Sequence, residues 1–130
     1  MKKSSLLFLF PGQGAQYAGM GSDLHAQHEI VRHTYEEAVD TLGYDITHLS
    51  FADSEGKINL TRYTQPAILT HSVACLRLFS KLTDGQLLPT VTAGHSLGEY
   101  SALVAAGVLD FTSALRLVST RGELMGAHGD

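Results

Sequence analysis

A single cysteine, Cys75, stands in 130 residues. One thiol leaves no partner for an internal disulfide and cannot build a cysteine-based zinc site; it fits a reducing compartment. Charge is scarce too. Asp, Glu, Lys and Arg make up 17% of the chain, below the usual ~25%. Within that small set acid outnumbers base, 13 to 9, for a net charge of −4. No cationic excess is available to grip a phosphate backbone, which argues against a nucleic-acid partner. Long apolar runs are missing as well: no stretch approaches the ~18 residues that mark a membrane span. Met1-Lys2-Lys3 followed by Leu6–Phe10 imitates a secretory signal. Its apolar run is too short, however, and Pro11-Gly12 ends it where such a signal continues. A buried strand in a cytoplasmic protein is the better reading.

What is present is apolar. Hydrophobic residues make 44% of the chain, enough for a packed core and too many for a disordered segment. The length suits one small domain. Glycine is over-used, thirteen residues against an average near 7%, and unevenly spread. Four glycines fall between Gly12 and Gly21, and two flank Ser96.

Residues 5–10 form a continuous apolar run, the pattern of a strand covered on both faces in a parallel sheet. Pro11 to Gly21 reads as a loop of unusual backbone freedom. A helix is expected over 28–42, with Val31, Tyr35, Ala38, Val39 and Leu42 on one face and Gly43 as its stop. Residues 44–63 read as irregular, with one short helical turn near 46–51. A second helix is expected from Thr64 or Gln65, with Pro66 at its first position. Its apolar face carries Ile68, Leu69, Cys75, Leu76 and Phe79, and Asp84-Gly85 ends it. Pro89–Ala93 is a short strand, followed by helices to Gly107 and from Phe111 almost to the end. The alternation argues an α/β fold with a parallel sheet. Two parallel strands do not make a finished sheet, so the chain reads as the front part of something larger.

Gly94-His95-Ser96-Leu97-Gly98 is a G-x-S-x-G between a strand and a helix, the context in which a serine is presented as a nucleophile. The turn holds the serine in a strained conformation. The helix after it aims its free N–H groups and positive dipole end at any oxyanion formed there. The Leu97 amide is the natural first donor. Phe10–Gln16 also follows a strand, but it lacks the lysine and the glycine spacing of a phosphate loop. It can instead bring a backbone N–H beside the C-terminal end of the second strand, where ligands of open parallel sheets bind.

On the last helix, Phe111, Ala114, Leu115, Val118, Gly122 and Met125 make an apolar stripe. Arg121 sits at its edge and can reach inward to take a carboxylate with both arms of its fork, while Arg116 points to solvent. His25, His28 and His33 do not share a face at ligand spacing, so no metal site is expected. His48 and His71 are isolated, and Cys75 is a small core residue. Asp23, Glu36, Glu37 and Asp40 form a solvated face.

Four segments occur in order: Phe10-Pro11-Gly12-Gln13-Gly14, Thr64-Gln65-Pro66-Ala67, Gly94–Ala102 and Arg121-Gly122. Together they resemble the malonyl-CoA:acyl carrier protein transacylases and the acyltransferase domains of fatty-acid and polyketide synthases. The resemblance covers essentially the whole chain. It implies a parallel-sheet, hydrolase-like acyltransferase core of which residues 1–130 are the N-terminal part. Ser96 would take the malonyl group from coenzyme A as an ester. The backbone amides of Gln13 and Leu97 would form the oxyanion hole, supported by the elbow residues Gly94, His95 and Gly98. Gln65 would lie in the substrate pocket, and Arg121 would hold the free malonyl carboxylate. The acyl group would then pass to the phosphopantetheine thiol of acyl carrier protein. Malonyl-CoA and the carrier protein are the implied partners, with no bound cofactor beyond the coenzyme A thioester substrate.

The histidine base that such a serine needs follows it in sequence in hydrolase-like folds. In the resembling family it lies beyond residue 130, and the only histidine after Ser96 is His128. The chain alone is therefore expected to turn over little. Two other readings stand beside the transferase. One is a serine hydrolase of small esters or thioesters built on the same elbow. The other is a non-catalytic module that docks a carrier protein or a complementary C-terminal portion.

Overall fold

The computed structural model describes residues 5–130, so the cationic start, Met1-Lys2-Lys3, lies outside the described residues. Strand β1 (Leu7–Phe10) is followed by helices α1 (Ser22–Gln27), α2 (Glu29–Leu42), α3 (Ile46–Phe51) and α4 (Thr61–Leu82). Strand β2 (Val91–Gly94), α5 (Gly98–Ala105) and α6 (Phe111–Gly129) complete the order. The strands pair in parallel, Leu7 with Val91 through Phe10 with Gly94. The result is an α/β arrangement rich in helix.

The sheet is covered on one face only. Phe8 stacks edge-on against Phe79 of α4, with ring centroids 5.5 Å apart. Its register partner Thr92 donates its hydroxyl to the Ala102 carbonyl of α5 at 2.9 Å. On the other face Leu7, Leu9 and Val91 are 55%, 70% and 56% exposed. The continuous apolar run at 5–10 predicts cover on both sides, and among the described residues the second cover is missing.

Helix α4 is the axis of the core. From Thr64 to Thr70 every residue is buried, because α2, α5 and α6 all pack around it. Ile68, Leu69 and Val73 join Leu97, Phe111, Leu115 and Val118 in one cluster. Two expectations are corrected here. The helix begins at Thr61, not Thr64, so Pro66 lies inside it and leaves the Arg62 carbonyl without its helical N–H partner. Its buried surface is not the single stripe expected: Cys75 and Leu76 are only half-buried and Phe79 is exposed.

Helix α2 matches its expected span, and Gly43 closes it in the left-handed region at φ 80°. The short α1 has no buried residue and no side-chain cap, so neither periodicity nor a capping motif marks it in the sequence. Glu37 does not belong to a purely solvated face; it pairs with Arg77 at 2.8 Å. His25 packs its ring edge-on against Tyr35 and Phe51. Among the described residues no helix is long and apolar enough to cross a membrane.

Candidate active site

The elbow is built by backbone contact that excludes side chains. A Cβ on Gly94 would lie 2.0 Å from the Gly98 carbonyl oxygen, and one on Gly98 would lie 2.2 Å from that of Phe10. A Cβ on Gly12 would come within 2.5 Å of the His95 oxygen. Glycine is required at all three positions because β1, its following loop and the elbow touch main chain to main chain. Between them Ser96 sits in the left-handed region at φ 55°, a strain of about 1–3 kcal/mol for a residue with a Cβ. The turn is fastened by Gly98 N–H donating to the His95 carbonyl at 2.9 Å and Glu99 N–H to that of Ser96 at 3.0 Å. The Leu97 side chain is fully buried, which anchors the first turn of α5. His95 and Glu99 are exposed.

Ser96, Arg121 and Gln65 meet, although they come from three elements. Arg121 donates from Nη2 to Ser96 Oγ at 2.9 Å and from Nη1 to Gln65 Oε1 at 2.8 Å. Gln65 is completely buried, and its Nε2 donates to Met125 Sδ at 3.2 Å. The Tyr100 ring lies 5.6 Å from the guanidinium carbon. Arg121 is half-buried and Arg116 exposed, as the stripe geometry on α6 predicts. Met125 departs from it: the side chain is 44% exposed and turns to Gln65 instead of joining the core. Tyr100 and Met125 follow Ser96 and Arg121 by one helical turn, and that spacing is the signal that could have found them.

The loop after β1 lies against the elbow. A Cβ on Gly12 would also sit 3.6 Å from the Leu97 nitrogen, so the residue preceding the Gln13 amide borders the Leu97 amide. Among the described residues neither amide has a backbone acceptor. The Gln13 side chain reaches away, donating from Nε2 to Thr61 Oγ1 at 3.1 Å. Gln16 ties the loop further, accepting from Gly14 N–H at 2.7 Å and donating to Asn59 Oδ1 at 2.9 Å.

His128 is exposed and belongs to the last turn of α6. It stands two turns beyond Arg121, about 10 Å further along the axis. His71 is not isolated: its Nε2 lies 3.6 Å from Cys75 Sγ, and burial lowers the imidazole pKa while raising that of the thiol. Cys75 is thus half-buried beside a groove between β1 and α4, not a packed core residue. Among the described residues no group of three or more His, Cys, Asp or Glu could hold a metal ion.

The acyl transferase domain family matches residues 7–128. The malonyl CoA-acyl carrier protein transacylase of Haemophilus influenzae is 50% identical over 125 residues, 96% of this chain and 39% of the relative. An acyl carrier protein S-malonyltransferase from Vibrio cholerae superposes with a TM-score of 0.88 at 49% identity, over 94% of this chain and 39% of that one. A malonyl-transacylase solved in complex with its type II PKS acyl-carrier protein gives a TM-score of 0.89 at 48% identity, over 95% of this chain and 40% of the other. The chain thus spans about two fifths of the length of the relatives it matches. It belongs to the acyl transferase domain family.

Proposed function

We propose that the chain is the N-terminal part of a single acyltransferase domain that moves a malonyl group from coenzyme A to acyl carrier protein. Ser96 Oγ attacks the thioester carbonyl, and the carbon–sulfur bond breaks as the ester forms. The serine proton leaves through a general base and is returned to the sulfur of coenzyme A. In the second half, the phosphopantetheine thiol attacks the ester and Ser96 recovers its proton. The Gln13 and Leu97 amides stabilise the oxyanion of both tetrahedral intermediates. Arg121 takes the free malonyl carboxylate with both arms, held in place by Gln65. No cofactor beyond the thioester substrate is needed, and the reading carries a cytoplasmic location with it.

The observation that carries this reading is the Arg121 guanidinium hydrogen-bonded to Ser96 Oγ while Gln65 fixes its other arm. A cation beside the nucleophile suits an acyl group that ends in a carboxylate and offers nothing to a neutral one. The bare sheet face of Leu7, Leu9 and Val91 supports the reading of a partial domain, because apolar faces of parallel sheets are normally covered.

The test is transfer from labelled malonyl-CoA to carrier protein by the chain joined to the rest of its reading frame. Transfer should be lost in Ser96→Ala. Release of free malonate with no carrier-bound product would instead favour a hydrolase.

A further inference from the structure

Thr61 lies outside the site as the elbow defines it, yet its hydroxyl is committed on both sides. It donates to Asp130 Oδ1 at 2.6 Å and accepts from Gln13 Nε2 at 3.1 Å. A hydroxyl carries one hydrogen, so donating to the carboxylate leaves only a lone pair facing Gln13. Asp130 is held in turn. Its second oxygen accepts the Thr61 N–H at 2.9 Å, its own N–H donates to the Gly126 carbonyl at 3.3 Å, and a Cβ on Gly126 would lie 2.8 Å from that carboxylate. Helix α4 has no side-chain cap of its own at Leu60; the end of α6 supplies one.

We propose that Thr61 is a positioning residue for the oxyanion hole. Through the Gln13 side chain it fixes where the Gln13 backbone N–H points, and Asp130 sets the direction in which Thr61 accepts. Gln13 is exposed and precedes Gly14 at φ 113°. Within the loop its flanking peptides are held by Ala15 N–H donating to the Gly12 carbonyl at 3.3 Å and Gly14 N–H to Gln16 Oε1 at 2.7 Å. The Gln13 side-chain bond to Thr61 fastens that turn to the body of the protein. Its side-chain bond to Thr61 spans 48 residues and ends on a buried atom group at the start of α4. That same helix carries Gln65, which holds Arg121. One rigid element therefore registers both the oxyanion donor and the carboxylate clamp.

This inference rests on the proposed acyl transfer, and its test keeps the two apart. In the chain joined to the rest of its reading frame, Thr61→Val removes the hydroxyl and keeps the shape. It should lower kcat about ten- to a hundredfold, the range produced by misplacing one catalytic group, with KM for malonyl-CoA nearly unchanged. Thr61→Ser should restore most of the rate. Gln13→Met removes the amide from the other end and should cost as much; the double variant should be no worse than either single. A wild-type protein that transfers normally, with kcat retained in Thr61→Val or full additivity in the double variant, overturns the positioning role alone. A wild type with no malonyl transfer overturns the function and this inference together.

Discussion

Arg121 Nη2 donates to Ser96 Oγ across 2.9 Å, although 25 positions separate the two residues in sequence. The contact is possible because α6 packs along α4 while α5 carries the elbow against both. The guanidinium has five N–H donors in a planar fork, and Gln65 holds one arm at 2.8 Å. The other arm, Nη2, faces Ser96, where in the proposed reaction a carboxylated acyl group would bring its charge.

Arg121→Ala should therefore reduce kcat/KM for malonyl-CoA by about 2–5 kcal/mol, the range for removing one partner of a desolvated charge pair. Acetyl-CoA should be handled no worse. Arg121→Lys keeps the charge without the fork and should recover only part of the loss. Steady-state kinetics with both thioesters check this; an equal loss for the two would contradict the clamp.

Glycine positions divide sharply by what surrounds them. Gly98→Ala drives a Cβ to 2.2 Å from the Phe10 carbonyl oxygen and should cost about 3 kcal/mol, the upper end of overpacking, while displacing the elbow. Gly43→Ala meets open space at φ 80° and should cost only about 1–2 kcal/mol for the left-handed backbone. Urea denaturation of the two variants gives the comparison. Equal midpoints would mean that β1 and the elbow are not in main-chain contact.

Ser96→Gly and Ser96→Ala both remove the proposed nucleophile and the hydroxyl that accepts from Arg121, but only glycine relieves the strain at φ 55°. That relief is worth about 1–3 kcal/mol, against about 0.4–1 kcal/mol of extra unfolded-chain entropy. Ser96→Gly should therefore unfold at a higher urea midpoint than Ser96→Ala. An equal or lower midpoint would show that Ser96 is relaxed where it sits.

Acid should weaken the fold partly through His71. Burial lowers its pKa below 6.5 in the folded protein, so between that lowered value and 6.5 the unfolded chain holds a proton that the folded one does not. Stability then rises with pH through this window and levels off above about 6.5. Burial and the neighbouring Arg32 lower His25 in the same sense. His71→Asn should flatten the dependence of the urea midpoint between about pH 5 and 7. An unchanged slope would assign the effect elsewhere.

The elbow was legible in the sequence because its geometry is set by main chain alone. Gly94, Gly98 and the serine between them leave no other economy of space. Arg121 and the span of α2 were legible through periodicity, since their positions follow from one helix at a time. The start of α4 was not. Leu60 gives no capping signal; the cap is Asp130, which accepts from the Thr61 N–H and hydroxyl across 69 positions. Pro66 favours a helical start locally, and burial among α2, α5 and α6 overrides that preference. Met125 has the right spacing for the core but turns toward the buried Gln65 amide. Such contacts between distant segments have no local signature.

The central claim is that Ser96 carries the acyl group. The most direct measurement is mass spectrometry of the chain, joined to the rest of its reading frame, after brief exposure to malonyl-CoA and again after addition of holo acyl carrier protein. The account predicts a malonyl ester on the peptide containing Ser96 that disappears as malonyl-carrier protein forms, and no adduct in Ser96→Ala. An unmodified Ser96 alongside malonylated carrier protein, or an adduct that persists in Ser96→Ala, would contradict it.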